Sequence, residues 1–280
     1  MAADPLKIGF STCPNDTFMF HQLVHETLPD ASPVMEDIEA LNLRLVDDDD
    51  APAVSKVSVA ALGHITDRYT VLDAGAALGR GVGPLVVVRA SDDEIATLGN
   101  LGGCTVGVPG QYTTANLLLR VFGPPDLRAR LLRFERIMPA VAAEELDAGV
   151  IIHESRFTYA DHGLRAIADL GERWETATGL PLPLGVIVAR RDLGEARIAE
   201  LEVALAASVR AARRDGTAAW PWIRAHAQEM DDVVCRKHIE LYVNDFSEGL
   251  GDEGRAAIDE LLARGRASGI LPDDAPTPWR

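Results

Sequence analysis

The chain has 280 residues, 47% of them hydrophobic and 25% charged, with a formal charge of −16. That length and apolar share suit one large domain or two lobes around a sizeable core, and they exclude global disorder. The acidic balance repels phosphate backbones and anionic lipid surfaces, so neither nucleic acid nor membrane is expected as a partner, although a local pocket can still bind an anionic small molecule.

A short apolar run predicts a strand at residues 7–11, followed by a turn at 12–16 and a helix at 16–26. Further strands are expected at 33–36 and 54–58, a helix at 36–42, and a small-residue helix at 59–65. The acidic run Asp47 to Asp50 reads as a solvated loop. Strands at 69–72 and 84–89 flank the glycine-rich Gly79-Arg80-Gly81-Val82-Gly83. This stretch lacks dinucleotide-loop spacing and leads into a strand, so a hinge or tight turn is expected there.

The pattern then restarts. It predicts a strand at 104–108, a leucine-rich helix at 113–122, a strand at 132–137, and a helix at 139–148 with Pro139 in its first turn. Buried strands follow at 149–153 and 184–190. Asp192 and Glu195 have capping-box spacing. Helices at 195–214, 218–229, 232–243 and 252–264 complete the chain. The expected class is α/β, with two α/β blocks followed by a helical block.

The three cysteines, Cys13, Cys104 and Cys235, are far apart and form no CxxC or Cys/His cluster. The expectation is a reducing compartment with neither a disulfide framework nor a zinc site. The opening MAADPLKIGF has no basic stretch before a long apolar run, and no run reaches the roughly 18–20 residues that span a bilayer. A cytoplasmic location is therefore expected.

Parallel α/β sheets present ligands to the loops beyond the carboxyl ends of their strands. Three such loops carry chemistry here. The first, Ser11 to Thr17, is dense in hydroxyl and amide groups; it is either a polar pocket wall or a helix cap made by Asn15 or Asp16. The second, Pro109 to Thr114, opens a helix with Thr113 and Thr114, so it is either a carboxylate site at the positive helix end or a threonine cap. The third ends an apolar strand with His153, Glu154, Ser155 and Arg156. His153 is a general-base candidate, and a backbone-bonded structural histidine is the alternative. His21 and His25, one helical turn apart, have no evident third metal ligand and read as ordinary helix residues, so no metal is expected. Trp220 and Trp222 read as helix packing, and Cys13 beside Pro14 is a weak basis for a nucleophile.

These loops also carry a resemblance. Ser11-Thr12-Cys13-Pro14-Asn15-Asp16-Thr17-Phe18, Glu36 to Asn42, Lys56-Val57-Ser58 and Gly79 to Leu85 match one family's pattern. So do Pro109-Gly110 with Thr113-Thr114, Ile151 to Tyr159, Gly179 to Gly185, and Val243-Asn244 with Phe246-Ser247. Over nearly its whole length the chain resembles the 1,4-dihydroxy-6-naphthoate synthase family of the futalosine route to menaquinone.

The resemblance implies a two-lobed periplasmic-binding-protein-like (type II) fold, each lobe a mostly parallel sheet flanked by helices. Residues 1–88 with 190–280 would form the larger lobe and 89–189 the smaller, with the site in the cleft between them. It implies a carbon–carbon lyase that converts cyclic dehypoxanthinylfutalosine to 1,4-dihydroxy-6-naphthoate and dihydroxyacetone without an organic cofactor. It assigns His153 as proton acceptor and Lys56, Val57, Ser58, Thr113 and Thr114 to substrate binding. Ser11, Asn15, Asp16, Asn42, Ile152 and Arg156 are pocket-wall candidates. The acidic run at Asp47 to Asp50 departs from the family's usual stretch but touches none of these residues. Two other readings fit the fold: a chorismate dehydratase of the same pathway, and a non-catalytic receptor for a small carboxylate. The His153-to-Arg156 run and the paired threonines favour the synthase over the dehydratase, and the missing export signal disfavours the receptor.

Overall fold

The computed structural model describes residues 5–47, 50–227 and 231–280. The chain begins with β1 (Lys7–Phe10), whose Ile8 and Phe10 are fully buried. α1 (Pro14–Gln22) follows and runs into a π-helical turn, Leu23–Thr27. Next come β2 (Ser32–Met35), α2 (Ile38–Asp47), β3 (Val54–Ser58), a 3₁₀ turn at Val59–His64, β4 (Tyr69–Val71) and β5 (Ala77–Gly79). A second block holds β6 (Leu85–Arg89), β7 (Thr105–Val108), α3 (Thr114–Phe122), β8 (Arg128–Leu131), α4 (Phe134–Ala142) and β9 (Ala148–Ile151). It ends with α5 (Ser155–Thr158), β10 (Leu164–Asp169) and α6 (Leu170–Thr178). The chain returns through β11 (Leu182–Arg190) and closes with α7 (Glu195–Arg214), α8 (Trp220–His226), α9 (Asp232–Tyr242), α10 (Asp245–Glu248) and α11 (Gly251–Ala267).

The strands form two sheets. The first has the order β2-β1-β3-β11-β4, with β5 also on β11; the second has the order β10-β6-β9-β7-β8. The core of each sheet is parallel, β2-β1-β3 in one and β9-β7-β8 in the other. β11 and β6 run antiparallel to these cores, and β4, β5 and β10 pair antiparallel with them in turn. Both sheets are therefore mixed, which refines the expectation of mostly parallel ones. A returning strand has the same continuous apolar sequence as a parallel one, so its direction leaves no mark in composition.

The crossings differ from the expected boundaries for the same reason. β6 lies in the second sheet and β11 in the first, so the chain changes sheet at residues 80–84 and 179–181 rather than at 88/89 and 189/190. The glycine-rich stretch is the first of these crossings. Gly83 has φ +149°, and a Cβ on Gly171 would lie 1.8 Å from the Val82 carbonyl oxygen. Backbone meets backbone here, and only glycine fits.

Residues 132–148 need a second correction. The strand is β8 at 128–131, on a sheet edge, and 134–142 is helical. Phe134, Ile137, Met138 and Val141 are buried at helical spacing. Pro139 lies inside α4 rather than at its start. Asp192 caps nothing: α7 begins after Gly194, and Asp192 pairs with Arg190. β5, α5, β10, α6 and α10 are additional to the expected elements. The C-terminal helices pack mainly on the first sheet's side: α7, α8 and α9 against α1, and α11 against the 59–64 turn and β11. Asp48 and Asp49 of the acidic run, residues 1–4, and the end of the helix expected at 218–229 lie outside the described residues. Asp47 ends α2, and Asp50 pairs with Lys7. Among the described residues no helix is long and apolar enough to cross a membrane.

Candidate active site

The three chemistry-bearing loops meet in one pocket at the junction of the two sheets, with about 660 Å³ of empty space that is partly open to solvent. The first block supplies Ser11 after β1, Asn15 and Asp16 on α1, and Lys56 and Ser58 on β3; the second supplies Thr113, Thr114, Ile152 and His153; α9 adds His238 and Tyr242.

The floor is organised by a buried ion pair. Pro14 is the first residue of α1 and Cys13 its cap position, with no side-chain cap. Asn15 and Asp16 therefore lie inside the first turn instead of capping it. One Asp16 oxygen accepts from the Ser11 N–H (3.2 Å) and hydroxyl (2.7 Å). The other accepts from Asn15 Nδ2 (2.9 Å) and Lys56 Nζ (2.8 Å). Strand alternation points Lys56 and Ser58 to this face of β3 and Val57 to the other. Val57 is fully buried in the apolar core and does not line the pocket.

Asn42 and Arg156 also stand behind the wall rather than on it. Asn42 donates from Nδ2 to Ser58 Oγ (3.0 Å) and accepts the Ser58 N–H (2.9 Å). This fixes the serine while leaving its hydroxyl proton available. Arg156 donates to the Gly83 carbonyl (3.1 Å) and to Asp169 (3.3 Å), tying the crossing segment to the second sheet.

Thr113 caps α3: its hydroxyl accepts the Asn116 N–H (3.3 Å) and donates to the Gly110 carbonyl (3.0 Å). The Thr114 hydroxyl donates to the Leu184 carbonyl (2.8 Å) and accepts the Ala60 N–H (3.3 Å), bridging the two lobes. Both hydroxyls are thus committed within the protein. What α3 offers a ligand is its first-turn N–H groups, Thr114 and Ala115 among them, at the positive helix end. Glu39, which the sequence reading did not single out, secures this loop from across the junction. Its carboxylate accepts the Tyr112 N–H (3.0 Å), and burial raises its pKa. A Cβ on Gly110 would lie 2.3 Å from Glu39 Cδ, so a larger residue there displaces the carboxylate that holds the loop.

His153 follows β9 with φ +57°, a left-handed conformation that turns the ring out of the strand. The edge of Phe134 packs on the ring at 4.8 Å between centroids, and Cys13 Sγ lies 3.2 Å from Nδ1. Burial pushes the Cys13 thiol well up, with Glu154 and Asp16 adding to the effect and the Ser11 hydrogen bond opposing it. The thiol stays protonated at neutral pH and is a neighbour of the imidazole, not a nucleophile. His21 and His25 pack against each other at a tilt, and His25 meets Trp222 in a T-shaped contact. Among the described residues no group of three or more His, Cys, Asp or Glu side chains is arranged to hold a metal ion.

His238, on α9, is not among the residues that the sequence motifs mark. It is 1% exposed, and its Nε2 lies 2.9 Å from Asn15 Oδ1. Burial first, then His153 and Lys56, push its imidazole well below the ordinary value. The folded protein therefore refuses a proton that the unfolded chain takes up below about pH 6.5. The stability this group contributes is complete above that value and is lost as pH falls below it, at up to about 1.4 kcal/mol per pH unit. Urea midpoints are expected to fall between about pH 7 and pH 5, and His238→Gln should flatten the slope by about one proton.

A family model described as menaquinone biosynthesis matches residues 6–267. A 1,4-dihydroxy-6-naphthoate synthase of Thermus thermophilus is 47% identical over 278 residues, covering 98% of each chain. One from Streptomyces coelicolor is 44% identical over 285 residues, covering 97% of this chain and 96% of its own. The crystal structure of protein AF1704 from Archaeoglobus fulgidus superposes with a TM-score of 0.87 at 33% identity, over 97% of this chain and 100% of that one. The alkanesulfonate-binding protein SsuA of Xanthomonas axonopodis pv. citri superposes with a TM-score of 0.71 at 14% identity, over 98% and 96%. The fold is that of the periplasmic binding proteins.

Proposed function

The chain belongs to the menaquinone-biosynthesis family, and on that premise we propose that it is a 1,4-dihydroxy-6-naphthoate synthase. It is a carbon–carbon lyase that splits cyclic dehypoxanthinylfutalosine into 1,4-dihydroxy-6-naphthoate and dihydroxyacetone. The observation that carries the assignment of its site is the convergence of His153, Ser58, Lys56 and the start of α3 on one pocket between the lobes.

A proton beside a ketone is within reach of an imidazole base when the developing enolate is stabilised. His153 takes that proton. The N–H groups opening α3 and the Ser58 hydroxyl hold the enolate oxygen or the substrate carboxylate, and Lys56 supplies nearby positive charge. A retro-aldol cleavage follows, driven by aromatisation of the second ring. Closure of the lobes, joined through Thr114 and Glu39, excludes water from the reacting groups. None of the three cysteines is in a disulfide, which supports a cytoplasmic location.

Purified protein is given cyclic dehypoxanthinylfutalosine and, separately, chorismate, and the products are followed by mass spectrometry. Release of 1,4-dihydroxy-6-naphthoate and dihydroxyacetone from the first, with chorismate unchanged, is the expected result. Dehydration of chorismate, or both compounds returned intact, overturns it in favour of a dehydratase or a non-catalytic receptor.

A further inference from the structure

We propose that His238 reads a substrate hydroxyl: the lone pair on its Nδ1 accepts a hydrogen bond from the polyhydroxylated fragment that leaves as the three-carbon ketose. The inference rests on the function proposed above and goes beyond it by assigning a group to the leaving fragment.

The tautomer follows from the hydrogen bonds behind the ring. Asp16, paired with Lys56, is an ionised carboxylate and can only accept. The Asn15 atom facing it at 2.9 Å is therefore the amide nitrogen. Asn15 Oδ1 is left to face His238 Nε2 at 2.9 Å, so Nε2 carries the proton. A neutral imidazole has one N–H, and Nδ1 is a bare acceptor. Protonating it as well would place a second cation in a buried site beside Lys56.

Among the described residues, this Nδ1 has no hydrogen-bond partner; the residue lines the pocket, and the atom itself is shielded from solvent, so a ligand meets it only as the pocket repacks around the substrate. A buried polar atom without a partner costs stability and calls for an explanation. The rest of the wall sharpens the point. The lone pairs of Asp16 are taken by Ser11, Asn15 and Lys56. The threonine hydroxyls donate to the Gly110 and Leu184 carbonyls. Two imidazoles, His153 and His238, line the pocket with ring centroids 6.2 Å apart. A substrate carrying a C–H to be removed and hydroxyls to be held finds one ring for each.

The test compares wild type with His238→Gln, which keeps an N–H for Asn15 but lacks the Nδ1 lone pair. The expected result is a fall in kcat/KM for cyclic dehypoxanthinylfutalosine of about 10- to 100-fold. The affinity for 1,4-dihydroxy-6-naphthoate, which no longer carries the departing fragment, should be unchanged. Wild-type kcat/KM in the variant overturns the proposal, and so does a parallel loss of product affinity, which is the mark of a merely structural role. If the variant does not fold, ¹⁵N-histidine spectra of wild type decide. Dihydroxyacetone added to the product complex should shift the His238 Nδ1 resonance, and no shift overturns the proposal. A wild-type protein inert toward the substrate is a different failure: it removes the functional reading itself, and this inference with it.

Discussion

Replacing His153 by alanine lowers kcat by about 10²- to 10⁴-fold while KM changes little, as expected for loss of a positioned general base. The ring is brought to the pocket by a local backbone choice, the left-handed turn at φ +57° after β9. Alanine is strained in that conformation, whereas asparagine tolerates it. The informative comparison is thus His153→Ala with His153→Asn. Both lack the imidazole and should lose turnover alike, and the asparagine variant should melt closer to wild type. Steady-state kinetics and thermal denaturation measure the two effects separately. Near-normal turnover in the asparagine variant would remove His153 from the role of base.

Asp16→Ala is the largest expected loss of stability. Lys56 and Asp16 have side chains 5% and 2% exposed, 2.8 Å apart. Deleting the carboxylate strands a buried ammonium and costs about 3–5 kcal/mol. It also leaves the Ser11 N–H and hydroxyl, and Asn15, without their shared acceptor. Urea denaturation should show the full loss. Replacing both partners by apolar residues, Asp16→Leu with Lys56→Met, should recover much of that stability and leave the protein inactive. A single Asp16→Ala variant as stable as wild type would mean that Lys56 finds another partner or gives up its charge.

Much of the pocket was legible because its parts are strand ends, and strand ends are marked by short apolar runs that break into polar residues. Ser11, Thr113, Thr114, Ile152 and His153 reach the wall in this way, and Lys56 and Ser58, which only the family resemblance implied, line it with them. Val57 did not, because the family pattern is contiguous in sequence while strand faces alternate. Asn42 and Arg156 hold the wall from behind, a distinction that only three-dimensional packing makes. His238 lay in a helix with no motif around it and comes to the site from over 220 positions beyond Asn15. Its one signal was its chemistry on a helix whose buried positions are otherwise Cys235 and Tyr242. The errors at residues 132–148 have the same origin: apolar runs without turn residues between them admit either period, and burial against β9 decides.

β11 lies in the middle of the first sheet, between β3 and β4, yet it is synthesised only after the entire second lobe. On the ribosome, the nascent first half therefore waits with the edge of β3 unpaired while the inserted lobe emerges and can fold. An unpaired edge of this kind is a template for aggregation, and domains commonly fold as units in order of synthesis. The arrangement that places the candidate pocket at the junction of the two sheets thus also makes completion of the first lobe depend on the second, so the chain cannot be divided at either crossing into two self-sufficient pieces.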